Sequence, residues 1–398
     1  MTAREAEARP SLLIFSDDWG RHPSSCQHLA GELKDRHRIW WVNTIGTRRP
    51  RLDRSTALRA LEKARQWSRP PVPADPLENP VVLNPRMWPY FRSGLDRRIN
   101  RILLGRQLRP VVAAAPSPVV AIVTVPIAAD LIGVLPVDRW VYYCVDDYEE
   151  WPGLDKPALR AMEARLVRCA DSVVAVSESL RRKLAGMGRS AEILTHGTDL
   201  EHWAAVGVGV GDAPAARFDG LQRPLVVFWG VVDRRMDVEM LERLGRDLEG
   251  GTIVLVGPEA DPDPALGRVA RLARVGPAPY EELPSLAREA SVLVMPYSDL
   301  PVTQAMQPLK LKEYLATGKP VVASDLPASR CWADALDLVD SPEAFSRSVR
   351  RRLVGPLPPG QAAARARLKS EGWADKASQF ERMALRASTV QSADQWHG

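Results

Sequence analysis

Lys310 and Glu313 stand three residues apart, just after Gln307–Pro308, in the stretch from Ser291 to Ser324, SVLVMPYSDLPVTQAMQPLKLKEYLATGKPVVAS. A lysine in the first turn of a helix adds a mobile positive charge to exposed backbone N–H groups, here those near Pro308 and Leu309, and together they favour a phosphate. A carboxylate one turn in, as at Glu313, can accept hydrogen bonds from paired sugar hydroxyls. The same pair also suits an ordinary core helix, as solvated i,i+3 partners worth a few tenths of a kcal/mol.

The flanking residues supply the elements that would position this chemistry. Ser291 to Pro296 is an apolar, β-branched run of strand length closed by a proline. Pro308 fits the first helical position, where a missing N–H costs nothing. Leu311, Tyr314 and Leu315 fall at i, i+3 and i+4 and form a buried stripe, with Lys310, Glu313 and Thr317 on another face. Gly318 suits the left-handed residue past the last turn, Pro320 prevents the helix from resuming, and Val321–Val322 begin another buried strand. A helix opening at the carboxyl end of a strand is where open α/β sheets bind ligands.

The run Glu313-Tyr-Leu-Ala-Thr-Gly-Lys-Pro-Val-Val322 resembles the second half of the nucleotide-sugar signature of GT-B glycosyltransferases, particularly family-4-like (group 1) retaining enzymes of bacteria. In that signature a first Glu precedes a second by eight positions, and the second holds the nucleotide ribose; it matches Glu313. The first would fall at Ala305, so the chain departs from the pattern there, with Gln304 or Gln307 as neutral donors nearby. Further likeness lies in Asp171-Ser-Val-Val-Ala-Val-Ser-Glu-Ser-Leu180 and in the turn Thr195-His196-Gly197-Thr198-Asp199, where His196 replaces the family's Asn. The family's loop after the first strand of the second domain carries an Arg and a Lys on the donor diphosphate. Arg234 and Arg235 occupy that loop, with a different spacing, and a guanidinium can hold phosphate bidentately.

The resemblance implies an α/β fold of the GT-B kind: two Rossmann-like parallel-sheet domains facing a central cleft. It implies a nucleoside-diphosphate-sugar donor, a glycan or lipid-linked acceptor, retention of configuration, and no metal or cofactor. Catalytic roles then fall to Arg234, Arg235, Lys310 and His22. Donor nucleotide binding falls to Glu313, Pro308, Leu309, Gly230 and Gly257, and the acceptor side to Gly20, Arg21, Asp146 and Asp147. His22 is also readable as a plainly exposed loop histidine. A nucleotide-sugar epimerase of the same fold, or a non-catalytic nucleotide-binding relative motivated by Ala305, are the alternatives.

Composition agrees with a two-domain globular protein. The chain has 398 residues, 45% apolar and 26% charged, and each half can bury its own core. A net charge of +5 and a pI near 9.1 favour anionic partners. Cys26, Cys144, Cys169 and Cys331 are scattered without metal-ligand spacing or a disulfide framework, which points to a reducing cytoplasm. The charged start MTAREAEARP reads as no secretion signal. Pro110 to Ala129 lacks charge over 20 residues, but its prolines interrupt it and Val119–Val125 is a β-branched run, so a buried strand is expected rather than a bilayer helix.

Along the chain, apolar strands alternate with polar loops and amphipathic helices: Ser11–Ser16, a helix capped by Ser24 or Ser25, then Arg38–Val42 and onward. No GxGxxG follows the first strand, which argues against an NAD-binding start. Residues 92–109 carry Arg92, Arg97, Arg98, Arg101, Arg106 and Arg109 against one acid, Asp96, around an apolar stripe of Leu95, Ile99, Ile102 and Leu103. Such a helix can lie on an anionic membrane surface, giving a peripheral contact at the inner membrane face, or pack with a solvated rim. No nucleic-acid module is present. Asp146–Asp147 has the wrong spacing for a metal-binding Asp-x-Asp. The expected division is 1–204, a linker at 205–222 whose GVGVG at 207–211 lacks a following helix, 223–373, and a C-terminal helix at 374–398 returning to the first domain.

Overall fold

The computed structural model describes residues 9–20, 24–44, 78–151, 154–204, 206 and 216–385. The chain divides into two compact units, Met1–Thr195 with Lys376–Gly398, and His196–Asp375. Of the expected linker, 205 and 207–215 lie outside the described residues, while Phe218 belongs to the core of the second unit.

The first unit is built on a seven-stranded parallel sheet: β1 Ser11–Ser16, β2 Ile39–Asn43, β3 Val81–Leu83, β4 Val119–Val123, β5 Arg139–Cys144, β6 Ser172–Ala175 and β7 Glu192–Ile193. Their order is β3-β2-β1-β4-β5-β6-β7, so the winding reverses between β1 and β4. Every residue of β1 is buried, as expected for a strand covered on both faces by crossover helices. Ser24 caps the helix Ser25–Leu33 by accepting from the Gln27 N–H. The arginine-rich segment forms the helix Gly94–Ala114, opened by a reciprocal capping box between Ser93 and Asp96. Pro110, expected to interrupt its segment, lies inside this helix about one turn before its end. It removes a single backbone hydrogen bond, and the buried Leu104, Leu108 and Val112 carry the packing past it. The chain returns to this unit through Phe380, whose ring lies 5.3 Å from Tyr143, and through Glu381, which pairs with Arg36 and His37.

The second unit holds a six-stranded parallel sheet: β8 Leu225–Trp229, β10 Thr252–Val256, β12 Leu272–Arg274, β13 Val292–Met295, β14 Val321–Ser324 and β15 Asp337–Val339. Two short strands, β9 Val232–Asp233 and β11 Glu259–Ala260, pair beside it. The order β12-β10-β8-β13-β14-β15 reverses between β8 and β13. Asp237 caps the helix Val238–Asp247 through the Met240 N–H, as its position suggests. Leu311, Tyr314 and Leu315 are all essentially buried in the core of this unit, and Gly318 has φ +75°, the left-handed conformation expected after the last turn.

Candidate functional site

A reversal of strand order leaves a crevice at the carboxyl ends of the two central strands, because their connections leave toward opposite faces. In the second unit those strands are β8 and β13. The loop after β8 carries Gly230, Arg234 and Arg235. The chain after β13 carries Tyr297 and leads to the helix Leu309–Ala316 with Lys310 and Glu313. Residues expected on the donor side therefore meet at one place in the second unit.

The floor is bare backbone. Gly230 has φ +139° and Gly257 φ +151°, a region open to glycine. A β-carbon on Gly257 would come 1.9 Å from the Gly230 carbonyl oxygen. Lys310 lies over this floor: its Nζ donates to the Tyr297 hydroxyl at 2.7 Å and sits 4.8 Å from the Phe228 ring centroid. Pro308 is the residue before the helix, with ψ 121°, and Leu309 is its first residue. This shifts the expected start by one position, since an extended proline caps rather than begins the turn.

Glu313 lies one turn further along. Its Oε2 accepts from the Trp229 indole N–H at 3.4 Å. Part of its surface stays open, yet aromatic neighbours strip much of its water, and desolvation pushes its pKa up to about 7 against the opposing pull of Trp229 and Lys310. Trp229 stacks on Trp203 at 5.4 Å and meets Tyr314 edge-on at 4.2 Å. The Trp229 N–H donates to the Tyr314 hydroxyl at 2.9 Å, so the end of β8 is tied to the helix that carries Glu313. Beside this wall His202 stacks on Tyr280, centroids 4.1 Å apart, and burial lowers the His202 pKa against the pull of Asp199.

The two arginines separate. Arg235 is turned onto Asp233, with Nη2–Oδ2 2.8 Å and Nε–Oδ1 3.0 Å, and its guanidinium lies 5.7 Å from the Tyr297 ring. It braces the loop. Arg234 is half exposed, with Asp261 and Asp263 each at 3.7 Å, and is the more available cation. Behind the helix the buried Lys312 donates to the His196 carbonyl and pairs with Glu371. Ala305 is buried, and Gln304 donates to Asp299 at 2.5 Å, which leaves Gln307 as the amide next to Pro308.

In the first unit, Gly20 makes a turn at φ +75° and donates its N–H to Gln27 at 2.9 Å; Arg21 and His22 lie outside the described residues. Asp146 accepts from the Asp147 N–H at 2.8 Å. Asp147 is buried and accepts from Lys183 at 2.7 Å; Lys183 also bridges to Glu163 at 2.7 Å, whose other oxygen accepts from Tyr142 at 2.7 Å. Burial opposes the charge on Lys183, but Glu163 and Asp147 together hold its pKa above the usual lysine range. Asp147, expected on the acceptor side, is thus one member of an ion-pair network with Lys183 and Glu163. Among the described residues no three His, Cys, Asp or Glu side chains are grouped to hold a metal ion.

Sequence reasoning missed Tyr297, Trp229, Trp203 and Lys312. The signal for the first two was their position, each at or just past the carboxyl end of a central strand. Trp203 and Lys312 carried none, because their partners are distant in the chain.

Paired parallel-sheet units, the second with glycine-floored loops at its reversal point, make up the GT-B fold of glycosyltransferases. Residues 223–354 match the family described as Glycosyl transferases group 1. A stretch of 183 residues, 44% of the chain, is 29% identical to the putative teichuronic acid biosynthesis glycosyltransferase TuaH of Bacillus subtilis (strain 168) and spans 45% of that protein, under half its length. Among solved structures, the sucrose-phosphate synthase of Thermosynechococcus elongatus superposes with TM-score 0.69 at 16% identity, covering 94% of this chain and 98% of that one. HepE of Anabaena in complex with UDP-glucose gives 0.64 at 13%, also covering 94% and 98%.

Proposed function

We propose that this protein transfers a sugar from a nucleoside-diphosphate sugar, a uridine diphosphate sugar in the first instance, to a glycan or lipid-linked acceptor in cell-surface polysaccharide synthesis. The observation that carries the reading is the Lys310 ammonium held over the Gly230–Gly257 backbone, with Glu313 one turn away on the same helix. The group 1 domain and the named relatives support it: TuaH bears a teichuronic acid assignment, and HepE was solved with UDP-glucose.

The diphosphate lies along the glycine floor, met by Lys310, by Arg234 and by the first N–H groups of the helix, while Glu313 accepts from the ribose hydroxyls. As the bond from the sugar to the diphosphate breaks, the electron pair and negative charge pass to the leaving phosphate oxygen, where fixed cations and N–H groups stabilise them. In a retaining front-face course that oxygen takes the proton of the acceptor hydroxyl as the new glycosidic bond forms. No nucleophile from the protein is required. Arg235 contributes by holding the loop through Asp233.

Ala305, where the family signature has a carboxylate, favours a second reading in which the site binds nucleotide without turning it over. Calorimetric titration with UDP, GDP, dTDP and ADP in EDTA, with Glu313→Ala as control, tests the site. Micromolar binding of one nucleotide, lost in the variant, is expected, and no binding of any overturns the assignment. Transfer to an added acceptor separates an enzyme from a silent binder, and sugar interconversion without an acceptor separates an epimerase. We further propose that the protein works as a peripheral protein at the inner face of the membrane; among the described residues no helix is long and apolar enough to cross one.

A further inference from the structure

Among the described residues five large apolar side chains are exposed, and four of them crowd one part of the first unit: Trp88 at 40%, Tyr90 at 42%, Leu95 at 67% and Ile102 at 44%. Leu95 and Ile102 lie on the outer face of the helix Gly94–Ala114, at i and i+7. Arg98, Arg106 and Arg109 fall at i+3, i+11 and i+14 of the same stripe, with Arg101 beside it, and all four are exposed. Arg98, Arg101 and Arg106 have no acidic partner among the described residues, and Arg109 donates to the Val134 carbonyl at 2.9 Å. The nearest acids are already engaged: Asp96 caps the helix and accepts from the Trp88 indole at 2.8 Å, and Asp130 holds Arg97 through two bonds of 2.7 Å. An open groove of about 620 Å³ runs along the same face, lined by these arginines with Ile102, Pro110 and Val134.

A packed helix with a solvated rim would bury its large apolar residues and pair its cations. This helix does neither on its outer face. Apolar side chains that can enter the acyl boundary, two aromatic rings with polar tips, and unpaired guanidinium groups between them are complementary to a bilayer surface bearing anionic phosphates. We infer that the 88–109 face is a docking surface for an anionic phospholipid membrane. The inference gives the peripheral contact proposed above its place on the molecule and rests on that reading, yet it concerns residues of the first unit only.

The test is co-sedimentation of the full chain with vesicles of phosphatidylcholine alone or mixed with phosphatidylglycerol, at low and high salt. The variants are Arg98→Glu/Arg101→Glu/Arg106→Glu and Leu95→Ser/Ile102→Ser, with UDP titration run on each. The wild-type protein is expected to pellet with the anionic vesicles only, and the arginine variant to lose about a hundredfold in apparent affinity. The apolar variant is expected to bind weakly at low salt and not at all at high salt. A wild-type protein that stays in solution, or an arginine variant that pellets like wild type, overturns the inference; so does retention on soluble heparin without vesicle binding, which would mark a general polyanion site. UDP binding unchanged in both variants separates this outcome from failure of the donor site, which would appear as lost UDP binding with vesicle binding intact.

Discussion

A β-carbon on Gly230 would stand 2.2 Å from the Nζ of Lys310. The ammonium therefore occupies space that exists only because residue 230 has no side chain. Gly230→Ala should push Lys310 away from the backbone floor and reduce UDP affinity by about 2 kcal/mol, roughly 30-fold, the scale of a lost charge-assisted hydrogen bond. Titration calorimetry measures it; an unchanged Kd would place the diphosphate elsewhere.

Glu313 should make nucleotide binding depend on pH. Its carboxyl holds a proton to about pH 7 in the folded chain, against an ordinary value of 4.5. The folded state then binds more protons than the unfolded state between those values, so the contribution of this group to stability is present below about pH 4.5 and is lost as pH rises through about 7. In the proposed donor site ribose binding needs the carboxylate, so UDP affinity should rise over that upper range. Glu313→Gln should abolish both trends, seen as a flat Kd from about pH 6 to 8 and a smaller fall in melting temperature.

Tyr297→Phe removes the hydroxyl that accepts from Lys310 while keeping the ring beneath Arg235. The fold should persist with a similar melting temperature, and donor affinity should drop by about 1 kcal/mol. A drop as large as that of Lys310→Ala would mean that the tyrosine touches the ligand itself.

Lys183→Met leaves Asp147 and Glu163 without their shared cation. Stripping the partner from buried carboxylates should cost about 3 kcal/mol of stability in urea unfolding. UDP binding by the protein that remains folded should be unaffected. An undiminished unfolding midpoint would show that water already screens the pair.

What the chain disclosed was local. The helical spacing of Leu311, Tyr314 and Leu315, the left-handed Gly318, the caps at Ser24 and Asp237, and the strand runs from SLLIFS onward each depend on neighbours within a few residues, and the structure contains them. The position of Lys310 and Glu313 was legible because both sit on one short helix next to a strand end. The contact from Lys310 to Tyr297 was not, since it spans a loop of unforeseen path. The engagement of Arg235 was not legible from its charge alone: Asp233, two residues earlier, takes the guanidinium. The ion pairing around Asp147 was not legible, because Lys183 and Glu163 reach it only through the folding of the sheet. Pro110 misled because a proline near a helix end costs one hydrogen bond, which buried leucines can offset.

Lys312 gives the helix Leu309–Ala316 a second attachment. It grips the carbonyl of His196, the first residue of the second unit, and the side chain of Glu371, four residues before that unit ends. Lys312, the residue just before Glu313 in the chain, is thus fastened beside both points where the polypeptide passes from one unit to the other. A nucleotide bound as proposed at the front of this helix should steady its rear mooring too. Occupancy should accordingly register as slowed amide exchange at residues 196–198 and 371–375, far along the chain from the phosphate itself, and Lys312→Met should erase that echo while the amides of the Gly230 loop keep theirs.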